Sequence, residues 1–165
     1  MSSFTIRPAV EADVPTILRF IRGLAEYEKL SHEVVADEDG LRRTLFGPRP
    51  FAEVVFGCED GVEVGFALFF HNYSTFLGRP GIYLEDLFVD PASRGKGYGK
   101  ALLTHLARIA VERDCGRLDW AVLDWNTPAI RFYESLGAQL MTEWQTFRLT
   151  GDALTALAAP KSTSA

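Results

Sequence analysis

The chain has 165 residues, 47% of them hydrophobic, including three Trp, five Tyr and twelve Phe, which suits one globular domain with a single sizeable core over residues 1–158. Its 22 acids against 17 bases leave a net charge of −5, which argues against a nucleic-acid partner, since such partners usually demand a basic face. No apolar run reaches the roughly 18–20 residues that cross a bilayer, the N-terminus lacks the layout of a secretory signal, and Cys58 and Cys115 read as two small side chains in a reducing compartment. No membrane, no nucleic acid and a cytoplasmic place are therefore expected.

Phe4–Arg7 alternates and predicts a short first strand. Asp13 before Val14-Pro15 reads as an N-cap with proline in the first turn. Val14, Ile17, Leu18, Ile21, Leu24 and Ala25 then recur at helical spacing, so an amphipathic helix runs to about residue 26. A second helix is expected from Asp37 to Phe46, stopped by Gly47-Pro48-Arg49-Pro50. Phe51–Cys58 and Val62–His71 read as strands joined at Asp60-Gly61, a hairpin turn. A loop from Asn72 to Gly81 leads to a fourth strand, Ile82–Val89, closed by Asp90-Pro91. A helix follows from about Gly97 to Arg113, then a strand, Leu118–Leu123. Thr127-Pro128 opens a short helix that Gly137 ends. One or two strands to about Leu149 and a brief helix from Asp152 to Ala158 complete the reading, with residues 159–165 as a disordered tail. This order predicts an α/β fold: a mixed sheet with antiparallel hairpins, one parallel pair and helices on both faces.

The segment Arg94-Gly95-Lys96-Gly97-Tyr98-Gly99-Lys100 lies between a strand and a helix. Three alternating glycines let backbone approach a ligand, and an opening helix offers unpaired N–H groups and the positive end of its dipole, a geometry suited to phosphate. Arg94, Lys96 and Lys100 add charge. A P-loop is excluded, because Ala101 follows Gly99-Lys100 and Arg94 stands where its first glycine should be. A dinucleotide fingerprint is excluded by a third glycine that comes one residue early.

Arg94-Gly95-Lys96-Gly97-Tyr98-Gly99 instead resembles the acetyl-CoA pyrophosphate loop of the GNAT superfamily. The segments 24–30 (LAEYEKL), 83–89 (YLEDLFV), 121–126 (AVLDWN) and 132–138 (FYESLGA) are similar to the spermidine/spermine acetyltransferases and most of all to their thialysine-acetylating relatives. The resemblance implies a GNAT fold whose parallel pair flanks the acetyl-CoA cleft. It implies that the backbone of Leu87, Phe88 and Val89 holds the pantetheine arm, that Arg94 to Lys100 hold the pyrophosphate, and that Asn126, Thr127, Pro128 and Ala129 touch the coenzyme. It implies Tyr133 as general acid, Tyr27, Glu28 and Glu85 as substrate contacts, and Asp119, Trp120 and Ala121 as further ones. The family's Glu-Glu-Gly-Trp segment is replaced by Met141-Thr142-Glu143-Trp144, which leaves Glu143 as the counterpart of its acid. A homodimer is implied as well.

These roles have a physical basis. An alkyl ammonium, with a pKa of about 10.4, must lose a proton before it can attack. Carboxylates can hold the cation, and one acting through water can deprotonate it. Glu85 and Asp86 are two acids inside an apolar strand and, by the two-residue period, point to opposite faces. Glu85 is the stronger candidate. Tyr133 by spacing alone is a core aromatic, beside Ala129, Ile130 and Leu136. His32, His71 and His105 have no ligand spacing, so no metal is expected, and no Gly-x-Ser-x-Gly elbow supports a serine hydrolase. The expected activity is acetyl transfer from acetyl-CoA to a primary amine of a small cationic substrate. The competing readings are another acceptor on the same fold (a protein N-terminus, an aminoglycoside, an amino acid) and a non-catalytic acyl-CoA-binding module.

Overall fold

A computed structural model describes residues 2–160. The chain divides into two compact units after Leu123. The first holds β1 (Phe4–Pro8), α1 (Val14–Tyr27), α2 (Glu38–Leu45), β2 (Glu53–Glu59), β3 (Val62–Ser74), β4 (Arg79–Val89), α3 (Tyr98–Glu112) and β5 (Leu118–Trp120). The strands lie in the order β1-β2-β3-β4-β5. Every pairing is antiparallel except β4 with β5.

Alternation along the strands sends side chains to two cores. On one face Val54, Phe56 and Cys58 of β2, Phe66 of β3 and Phe88 of β4 pack with Ile17 and Phe20 of α1 and Leu45 of α2. Phe20 stacks on Phe66 with ring centroids 5.4 Å apart. On the other face α3 supplies Leu102, Leu103 and Leu106, all buried. Gly57 shows how closely that face is packed: a Cβ there would stand 2.7 Å from the Phe4 ring and 3.6 Å from Leu102. Each fully buried side chain of this size contributes about 1.5–3 kcal/mol relative to exposure. Helices thus cover both faces, as expected.

The turn at Asp60-Gly61 has φ of 49° and 84°, the paired left-handed conformation that suits the twist of a tight hairpin. Local details differ from the sequence reading. The carboxylate of Asp13 does not cap α1. It accepts from Arg7 at 2.8 and 3.0 Å and from the Val10 N–H at 2.8 Å, tying β1 to the chain entering the helix. The β3–β4 hairpin is longer than expected, because Asn72–Ser74 pair with Arg79–Gly81 and leave only four residues at the tip. β5 ends at Trp120 rather than Leu123.

The second unit contains α4 (Thr127–Ser135) and α5 (Gly151–Ala158). The strands expected up to Leu149 do not form among the described residues. The backbone there makes local turns instead, from Thr142 N–H to Leu140 and from Trp144 N–H to Met141. Strand propensity measures fit on a pleated surface beside partners, and without a ladder it has nothing to act on. Of the tail expected over 159–165, residues 161–165 lie outside the described residues.

Candidate active site

The site begins with an irregularity in β4. Leu84 pairs with Phe69 of β3, but the next pair is Asp86 with Leu68. Glu85 is the extra residue, a β-bulge. Paired residues share a face of the sheet, so Asp86 lies on the face of Leu68, which packs against the α1 core, whereas Leu84 lies on the opposite face with Phe69. One inserted residue re-phases the strand. The two-residue period therefore fails at Glu85 and Asp86, and their relation is set by the bulge.

The bulge also marks where β4 and β5 part. Their parallel pairing covers Ile82–Leu84 against Leu118–Trp120 and stops there. Beyond it, Glu85–Val89 have β3 on one side and, among the described residues, no strand on the other. Such an edge can accept an extended, amide-bearing ligand as an added strand. Leu87, Phe88 and Val89 all lie on this stretch.

Three carboxylates lie in this region, near enough for the charges of Glu85 and Glu28 to act on Asp86. Asp86 has its pKa pushed up to about 6, chiefly by burial and then by the negative charges of Glu85 and Glu28. Burial also raises the Glu28 carboxyl above the usual carboxylate range. Glu28 caps the C-terminal end of α1, and Glu85 is exposed at the bulge. An acid cluster that is partly dry holds a cation well, and one member titrating near neutrality suits proton transfer.

Past β4 the chain makes a short turn at Pro91–Ser93 and enters the glycine segment. Gly95 and Gly97 have φ of 79° and 83°, the left-handed region that costs other residues about 1–2 kcal/mol. A Cβ on either would meet nothing within 4 Å, and one on Gly99 would only touch Val89 at 4.0 Å. The chain's own packing leaves this cradle empty. Gly97 precedes α3 without a side-chain cap, and its carbonyl receives the Ala101 N–H at 3.0 Å. The earlier amides of the first turn have no intrahelical acceptor. Together with the helix dipole they fit a diphosphate.

The cations of the segment do not all face that cradle. Arg94 donates from Nε to the Val89 carbonyl at 2.9 Å, and its guanidinium lies 4.7 Å from the centre of the Tyr27 ring and 5.4 Å from that of Phe88. It joins the end of α1 to β4. Lys96 is drawn to Glu59 at 2.8 and 2.9 Å. Lys100 borders a groove of about 520 Å³ with Phe4, Gly97 and Thr104. A second cleft, about 510 Å³, lies between α1 and the end of β4, bordered by Arg19, Arg22, Glu26 and Asp90. Gly23 sits at its wall, where a Cβ would come 2.9 Å from the Phe88 ring.

Asp119 and Trp120 lie on β5 opposite Tyr83 and Leu84, and Ala121 follows. The Asp119 carboxylate is engaged by Arg117 at 2.8 Å and by the Asn72 amide at 3.1 Å. In the second unit the Asn126 side chain accepts the Ala129 N–H at 3.4 Å and caps α4, whose first turn carries Thr127 and Pro128. The Tyr133 ring lies 5.5 Å from that of Phe132. Glu143 falls in the irregular stretch before α5.

Sequence reasoning did not anticipate the burial of Asp86, which lies just past the bulge, or the pairing of Lys96 with Glu59. No periodicity announces a one-residue insertion. Among the described residues no helix is long and apolar enough to cross a membrane, and no group of three His, Cys, Asp or Glu could hold a metal ion.

The chain belongs to the Acetyltransferase (GNAT) family, whose profile matches residues 21–138. It is 42% identical over 169 residues to the thialysine N-epsilon-acetyltransferase of Mus musculus, covering 96% of this chain and 99% of that one. It is 40% identical over 197 residues to the L-ornithine N5-acetyltransferase NATA1 of Arabidopsis thaliana, covering 92% of this chain and 86% of the relative. Among solved structures it is similar to an integron cassette protein from the mobile metagenome of V. cholerae, with a TM-score of 0.80 and 30% identity over 96% of this chain and 99% of the other.

Proposed function

We propose that this protein transfers the acetyl group of acetyl-CoA to a primary amine on a small diamine-like substrate of the thialysine and ornithine kind. The observation that carries the reading is the juxtaposition on β4: an unpaired strand edge at Leu87–Val89, an open helix start at Gly97, and the carboxylates Glu28, Glu85 and Asp86. The identity to thialysine and ornithine acetyltransferases supports the acceptor class.

Acetyl-CoA supplies an acetyl group activated as a thioester. The edge of β4 hydrogen-bonds the amide arm, and the amides near Gly97 hold the diphosphate. Glu28 and Glu85 hold the substrate as its ammonium. Asp86, ionised above a pKa of about 6, takes one proton from the reacting nitrogen, directly or through water. The freed nitrogen lone pair then forms the C–N bond as the C–S bond breaks, with no covalent enzyme species required once the two reactants are aligned. The similarity of the 132–138 segment to the family supports Tyr133 as the group that protonates the departing thiolate. The same resemblance supports coenzyme contacts by Asn126 to Ala129, substrate contacts by Tyr27, Asp119 to Ala121 and Glu143, and a homodimer; the two unpaired cysteines support a cytoplasmic place.

Release of free thiol from acetyl-CoA should be measured over thialysine, ornithine, lysine, spermidine and simple diamines. Turnover with at least one amino-acid diamine is the expected outcome. Silence across the whole panel would defeat the reading. Tyr133→Phe should lower turnover about 10²-fold while calorimetry shows acetyl-CoA binding little changed; wild-type turnover would remove Tyr133 from the chemistry.

A further inference from the structure

The cation between the two left-handed glycines does not reach toward the cradle it was expected to serve. Lys96 places Nζ 2.8 Å from Oε1 and 2.9 Å from Oε2 of Glu59, the last residue of β2. The next residue but one, Tyr98, donates its phenol to the same Oε1 at 2.7 Å. The Tyr98 ring stacks flat on Phe4 of β1, with centroids 4.1 Å apart and planes within 7°. The Glu59 side chain is only 16% exposed under these partners. Its carboxyl is held below the usual range, first by Lys96 and then by Tyr98, so it stays an anion and an acceptor at neutral pH.

This has a mechanical consequence. A loop with two left-handed glycines has many conformations when unrestrained. Here it is fastened at its start by Arg94 on the Val89 carbonyl and at its end by Lys96 and Tyr98 on Glu59. The fastening holds the loop on both sides of Gly95 and Gly97, whose backbone leads into the uncapped first turn of α3. It also cancels the Glu59 charge, which would otherwise repel an approaching anion, against that of Lys96.

We propose that Glu59 is a positioning residue for the coenzyme's diphosphate, and that Lys96 serves the loop through Glu59 rather than by gripping phosphate itself. The proposal rests on the acetyl-CoA reading above.

The test is calorimetric binding of CoA to the wild type, Glu59→Gln, Lys96→Gln and the double variant, with steady-state kinetics beside it. Each single change should weaken CoA roughly ten-fold, and the double should be no worse than either, since both break one fastening. Turnover at saturating acetyl-CoA should stay within about two-fold of wild type, and the KM for the amine should not move. Acetylpantetheine, which lacks the diphosphate, should be used equally well by wild type and Glu59→Gln; a merely structural defect would impair both donors. Tyr98→Phe, which deletes one contact and keeps the stacked ring, should weaken CoA in the same direction by a smaller factor. CoA binding by Glu59→Gln that equals or exceeds wild type, or losses that multiply in the double variant, would overturn the role of Glu59 and return Lys96 to the phosphate. Failure of the wild type to bind CoA would take down the coenzyme reading and this inference with it, whereas a wild type that binds CoA beside variants that bind it equally well would overturn this inference alone.

Discussion

One strand of this protein carries two different environments. At Ile82–Leu84, β4 has a strand on each side, with Ile82 fully buried and Leu84 2% exposed. From Glu85 to Val89 it keeps only β3 and carries two acids. The same backbone is a core element in its first part and an open edge in its second. A single inserted residue marks the change, at the point where β5 ends. Closed sheet satisfies its own amides and leaves nothing for a ligand, whereas an opened edge keeps amides that an extended ligand can pair.

If that division holds, substitutions in the two halves should fail in different ways. In the open half, Asp86→Asn should reduce kcat/KM by about 10²–10³-fold. The wild-type rate should climb as pH rises through about 6, where Asp86 ionises, and the variant should lose that limb; a pH–rate profile unchanged by the substitution would place the base elsewhere. In the closed half, Ile82→Ala should cost about 2–5 kcal/mol in a denaturant melt, with the KM of both substrates unmoved in the protein that remains folded. A loss of coenzyme binding out of proportion to stability would blur the boundary.

The pH dependence of folding sharpens the comparison further. The folded state raises the Asp86 carboxyl from 3.8 to about 6, so it binds that proton more tightly than the unfolded chain does. This contribution to stability is fully present below about pH 4 and is lost as pH rises through about 6, on the order of 2–3 kcal/mol. Asp86→Asn should flatten that slope in melts taken across the window. The smallest effect is expected at Gly97→Ala. Nothing would clash with the new Cβ, so only the left-handed backbone is strained, by about 1–2 kcal/mol. Coenzyme affinity should fall about ten-fold with little change in kcat.

Much of this was legible along the chain. The Asp60-Gly61 turn, the apolar face of α1 and the run from strand to glycine loop to helix each follow from neighbours within a few residues. So did the candidate loop, because three alternating glycines before a helical pattern are a local signal. The missing C-terminal strands erred in the other direction: the apolar residues between Leu140 and Leu149 suited a strand, yet Trp144 is 73% and Phe147 93% exposed with no ladder beside them.

By itself, then, the order of residues determined which segments curl and which extend, where the glycines permit a left-handed turn, and which family the chain joins. The three-dimensional arrangement alone decided that Asp86 rather than Glu85 is the drier acid, that Arg94 rests on Tyr27 and Phe88, and that Lys96 turns to Glu59 across 37 positions of sequence. Secondary structure is written in short-range periodicity and turn chemistry. Ionisation and charge pairing depend on what other strands bring alongside, and no local pattern records that.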